Sequence, residues 1–84
     1  LNIELELTNK YLEIEKEINN LSFGQTYLIP GSNEAIRRDS DNIFSYLENA
    51  HDQVYYNYLF TNLSINEVME AVSEIIPDLI ECQE

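Results

Sequence analysis

Ser64-Ile65-Asn66-Glu67 is a capping box, and Ile65, Val68, Met69, Val72, Ile75 and Ile76 then recur at three- and four-residue spacing. A serine and a glutamate three residues apart satisfy each other's free backbone donors at a helix start. The spacing that follows gathers the apolar side chains on one face. A helix with one apolar face must bury it against another layer, which makes this a folded chain with a core. Pro77 is expected to bend or end that helix.

The same period appears at the N-terminus. Leu7, Tyr11, Ile14, Ile18 and Leu21 share a face, with Asn9, Lys10, Glu13, Lys16 and Glu17 opposite. This predicts a first helix over about residues 4–20. Ile3 to Leu7 also alternates apolar and acidic residues, which alone reads as a strand. Phe23-Gly24 and Pro30-Gly31 are breaks. Between them Thr26-Tyr27-Leu28-Ile29 is β-prone, read as an extended connection with no second strand to pair.

Ser32 or Asn33 is positioned to cap a second helix, since Ile36, Ile43, Phe44, Leu47, Ala50, Val54 and Leu59 follow near helical spacing. One helix over 33–60 would be about 42 Å long, too long for so small a domain. A break near Asn49–Asp52 then leaves a short third helix through Val54, Tyr55, Tyr56 and Tyr58. The expected fold is all-α: one domain over 1–84, a small four-helix bundle with a short third helix. The alternative is α+β, with a small hairpin pairing Ile3–Leu7 and Thr26–Ile29.

Charge narrows the function. The last positive side chain is Arg38, and from Asp39 to Glu84 there is no lysine or arginine; the formal net charge is −12. Such a field repels nucleic acid and anionic membranes and draws in basic protein surfaces. The chain is nevertheless 44% hydrophobic with two glycines and two prolines, too apolar for a disordered acidic tail. Cys82 is the only cysteine, which excludes an internal disulfide and fits a reducing, cytoplasmic setting. No apolar run reaches the length of a membrane span, and no signal-peptide pattern opens the chain. The absence of an initiator methionine reads as a trimmed or incomplete N-terminus. Asn20-Leu21-Ser22 and Asn62-Leu63-Ser64 match the glycosylation pattern but read as turn and cap residues.

Ser40, His51 and Asp52 are the residue types of a nucleophilic triad. On one helix Ser40 and His51 would lie about 16 Å apart, so no catalytic residue is expected. Glu48, His51 and Asp52 stand at i, i+3 and i+4, where one imidazole and two carboxylates can share a face. A solvated histidine beside acids is the commoner arrangement, and no calcium-loop spacing is present. No metal and no cofactor are expected. Tyr55, Tyr56 and Tyr58 cannot all point inward on a helix. Partner binding is therefore assigned to Asp41, Glu48, Asp52, Tyr55 and Tyr56: aromatic anchors ringed by acids.

Asp52-Gln53-Val54-Tyr55-Tyr56, followed by the capped Ser64-Ile65-Asn66-Glu67-Val68-Met69, resembles the colicin and pyocin DNase immunity proteins over residues 50–76. These are acidic four-helix domains that block a basic nuclease. The resemblance implies that Asp52, Tyr55 and Tyr56 bind the partner. Leu59-Phe60-Thr61-Asn62-Leu63-Ser64-Ile65-Asn66-Glu67-Val68 is similar to the last-helix entry of acyl and peptidyl carrier proteins. That resemblance implies phosphopantetheine on Ser40. The favoured expectation is a non-enzymatic inhibitor or immunity-type protein. Its carboxylates would shadow a surface meant for phosphates on a nuclease or other nucleic-acid-binding protein, in bacterial immunity or phage anti-defence. A homodimer is left open.

Overall fold

The computed structural model describes residues 2–52 and 57–81. Helix α1 (Ile3–Asn19) precedes four strands, β1 (Thr26–Leu28), β2 (Ala35–Ser40), β3 (Ile43–Glu48) and β4 (Asn57–Leu63), and helix α2 (Ile65–Glu81) closes the chain. The strands form one antiparallel sheet in the order β1-β2-β3-β4. The fold is α+β, which corrects the expected four-helix bundle. The α+β alternative is corrected in its pairing: Ile3–Leu7 is helical, and Thr26, Tyr27 and Leu28 pair with Arg37, Ile36 and Ala35.

The two helices form as their patterns require. The Asn2 side chain accepts from the Leu5 N–H at 3.1 Å and caps α1. Ile14 and Ile18 are buried on its inner face, with Leu7 and Tyr11 packed beside them. Asn20 is the C-cap, and Gly24 turns the chain at φ +82°, a region that favours glycine. At α2 the Ser64 N–H donates to Glu67 at 3.0 Å, and the Glu67 N–H donates to Ser64 Oγ at 3.3 Å. Pro77 does not end this helix, which runs on to Glu81. Ile76 and Leu79 are buried on either side of the proline; their burial, at about 1.5–3 kcal/mol each, offsets the missing hydrogen bond.

The middle of the chain is sheet because its apolar residues pack on two faces. Phe44, Ser45, Tyr46 and Leu47 are buried at four consecutive positions of β3. A strand covered on both sides loses its alternation and is easily read as helix. Ile36, Phe44 and Tyr46 join Ile14, Ile18, Val68, Met69 and Val72 in one apolar cluster, so both helices lie on the same face. Ala35 and Leu47, which pair with each other, are buried outside that cluster on the opposite face.

Arg38 ties the layers together. Its guanidinium donates to the carbonyls of Asn19 at 3.1 Å and Leu21 at 2.9 Å, and to that of Asp41 at 2.6 Å. A cation on the orphan carbonyls of a helix end is favourable, and here it fastens the end of α1 to the β2–β3 turn. At the other end of β3, Asn33 holds the chain: its carbonyl accepts from Ala50, and its side-chain oxygen accepts from the His51 N–H.

Candidate interface at the β4 edge

The acids and aromatics gather at one edge of the sheet. β4 pairs with β3 alone among the described strands, leaving its outer edge without a strand partner. Tyr58, Leu59 and Phe60 on that edge are 41%, 44% and 57% exposed. Three consecutive large side chains at such exposure leave apolar surface on both faces of the edge strand. The register shifts twice against β3, at Phe44/Tyr46 and Tyr46/Leu47. Asn62 adopts φ 60° where the first shift falls, and the second falls at Leu59, a bulge that turns Tyr58 and Phe60 to opposite faces.

Phe60 pairs with Tyr46 and therefore sits on the helix-covered face. It lines a groove of about 360 Å³ with Leu63, Glu67, Glu70, Ala71 and Glu74. The glutamates recur at three and four residues along α2, so they form one row above the edge strand. Glu67 is held below the usual carboxylate range by the Ser64 backbone N–H and then by its hydroxyl. Among the described residues, the ion pairs are Lys10–Glu13, Arg37–Asp39 and Arg38–Asp41, so no basic side chain opposes this row.

The row continues onto the sheet. Burial pushes the Tyr46 phenol up to about 12, followed by the charge of Glu34, a hydrogen bond to it, and the charges of Glu74 and Glu48. Glu34 is itself raised, first by burial and then by Glu48, with the Tyr46 bond pulling the other way. Glu34, Glu48 and Glu74 thus converge around one phenol beside Phe60.

On the opposite face, Arg37 donates to the Tyr58 hydroxyl and Asp39, and the Ser45 hydroxyl donates to Asp39. The Arg37 guanidinium also lies 4.4 Å from the Tyr58 ring centre. This network satisfies the buried Ser45 and orients Tyr58.

The structure rearranges the residues assigned from sequence. Glu48 belongs to the acid cluster. Asp41 is in the β2–β3 turn, separated from Glu48 by the length of β3, on the order of 17 Å. Asp52 is exposed beyond the end of β3, where its N–H donates to the Asn49 carbonyl at 3.0 Å. Tyr55, Tyr56 and Cys82 lie outside the described residues. Glu48, His51 and Asp52 do not share a helical face, because β3 ends at Glu48 and a turn follows. His51 Nε2 lies 3.1 Å from the Ser32 carbonyl. Ser40 ends strand β2 rather than opening a helix, unlike the attachment serine implied by the carrier resemblance. The four-helix fold implied by both resemblances is not the fold of this chain, although the serine cap at Ser64 is present.

Sequence reasoning missed Phe60, Glu67, Glu70 and Glu74 as a unit. The available signal was Tyr58-Leu59-Phe60, an unbroken apolar run that cannot face one way in a strand. No protein-family model, curated protein or solved structure matches the chain, so the site's own chemistry supplies the functional argument.

Proposed function

We propose that this chain is a non-enzymatic acidic binding protein that blocks a positively charged protein partner, a nuclease or another nucleic-acid-binding protein, in the cytoplasm. The observation that carries this reading is the fate of the two arginines. Arg37 and Arg38 are engaged by Tyr58, Asp39, Asp41 and the carbonyls at the end of α1. Their charge is directed into the fold, whereas Glu4, Glu6, Glu13 and Glu17 of α1 and Glu67, Glu70, Glu74 and Asp78 of α2 are exposed. Lys10 and Lys16 are all that remain to balance the helices. A surface of this kind steers basic proteins inward and occupies sites built for phosphates. An immunity-type inhibitor needs these same properties.

The test begins with the protein that co-purifies with the chain from its native host, identified by intact-mass spectrometry. Association of the purified pair is then followed by stopped flow. Raising salt from about 50 to 500 mM should slow association far more than it speeds dissociation. Association rates indifferent to salt would remove the steering role, and an acidic partner would remove the reading. If the partner is a nuclease, addition of the chain should abolish its cleavage of DNA or RNA.

A further inference from the structure

The β4 edge and the α2 acid row meet in one groove, and together they specify an occupant more narrowly than charge alone. We propose that the partner contributes an extended segment in which basic and apolar residues alternate. This segment adds as a fifth strand to β4, with its basic side chains over Phe60 toward Glu67, Glu70 and Glu74. The proposal rests on the reading of a basic partner and deepens it.

The argument has three parts. First, the free edge asks for backbone. A strand without a neighbour presents unpaired N–H and C=O groups, and an extended peptide satisfies them by strand addition. Many edge strands are protected by lysine or proline; β4 has neither, and its bulge at Leu59 turns Phe60 toward the groove and Tyr58 away from it. The opposite edge of the sheet, β1, is three residues long and leads to Pro30 within two residues.

Second, the period of a strand separates what each face of the added segment meets. On the helix-covered side it meets Phe60, Leu63 and the three glutamates. A lysine or arginine there lays its apolar stem on the Phe60 ring and carries its charge to a carboxylate. On the other side it meets Tyr58, whose ring is oriented by Arg37. An apolar side chain suits that position, and a second cation would face Arg37.

Third, charge decides among occupants. A second copy of this chain paired edge to edge would bring two glutamate rows together, each on a body of net charge −12. Like charges at such a junction oppose association. A basic strand gains from the same field.

The experiment uses the full chain, labelled with ¹⁵N, and a peptide of about eight residues alternating Lys and Val, long enough to span β4. A peptide alternating Glu and Val is the control. The Lys–Val peptide should shift the amides of Tyr58 to Thr61 and of Glu67 to Glu74, and slow hydrogen exchange along β4. The Glu–Val peptide should leave these signals in place. Phe60→Ser, and separately Glu70→Gln with Glu74→Gln, should each weaken Lys–Val binding roughly three- to tenfold without lowering Tm.

Shifts confined to α1 or β1 would overturn the edge site and leave the basic-partner reading intact. Equal binding of both peptides would overturn the role of the acid row. Doubling of the solution mass with protection along β4 would show that a second copy holds the edge, which also overturns the proposal. Absence of binding by either peptide at millimolar concentration would overturn it too, while the salt dependence with the native partner would still judge the broader reading.

Discussion

The two edges of the sheet are built differently. β1 is three residues long, and just beyond it the Ile29 N–H donates to the Glu34 carbonyl at 2.9 Å. It lies next to β2, whose Ile36 is completely buried against the helices. β4 is seven residues long and exposes Tyr58, Leu59 and Phe60. The first edge is short and blunted by a proline, as edges that must stay unpaired commonly are. The second keeps its length and its apolar side chains, although a protein this acidic could have placed charges there. The contrast separates a side of the sheet devoted to stability from one available for contact.

Substitutions can break or sharpen that contrast. Ile36→Ala should have the largest effect, costing about 2–5 kcal/mol through a core cavity. Phe60→Ala on the β4 edge should change stability by no more than about 0.5 kcal/mol, as exposed substitutions do. Urea unfolding of both variants measures the pair. Comparable losses at the two positions would erase the division of labour.

Ser64→Ala comes next. It removes the acceptor for the Glu67 N–H and should cost about 1 kcal/mol, visible as a lower urea midpoint at unchanged slope. The Ser64 backbone N–H that bonds the Glu67 carboxylate is retained in alanine, so Glu67 should stay over the groove and binding of the basic partner should change less than stability. Unchanged stability would show that the cap is not needed to start α2.

The smallest effect is expected at Glu34, inside the acid cluster next to Tyr46. Its pKa is raised, so the folded chain holds the proton more tightly than the unfolded chain. The stabilising contribution of that proton is fully present below the unfolded pKa and is lost as pH rises through the folded value. Glu34→Gln should therefore stabilise the protein near pH 7 and make no difference well below about pH 4. Solvent screening keeps the gain under about 1 kcal/mol. Thermal melts at both pH values decide it; a destabilised variant at neutral pH would mean that the Glu34 carboxylate is needed in its charged form.

These predictions depend on residues with very different visibility in the sequence. The capped start of α2 and the Leu7–Tyr11–Ile14–Ile18 stripe of α1 were legible because each helix buries a single face. Asn20 was legible as a cap residue for a similar local reason, whereas Asn62, read as a turn residue, lies inside β4 at a register shift. The sheet was hidden. Ile43, Phe44 and Leu47 fall at helical spacing by coincidence, since β3 is buried on both sides and shows no alternation. In β2 the charged Arg37 and Arg38 look like a solvated surface, yet one orients Tyr58 and the other caps α1. The acid row was visible as composition, but its alignment with Phe60 depends on the antiparallel pairing of Tyr46 with Phe60, and sequence spacing alone does not specify that long-range register. Glu48 was found for its charge, whereas the neighbours that give it meaning, Glu34 and Glu74, come from other elements.

The meander has a consequence for how the chain reaches this state. Every strand pairs with its neighbour in sequence, joined by short connections, so most of the sheet can zip without closing a long loop. The contact that spans the chain is α1 against α2, the first element against the last. Hairpin formation is therefore expected to precede helix docking. Mutations in the β2–β3 hairpin should slow folding, while those at the α1–α2 contact should mainly speed unfolding. Chevron kinetics showing the reverse order would mean that the helices find each other before the sheet exists.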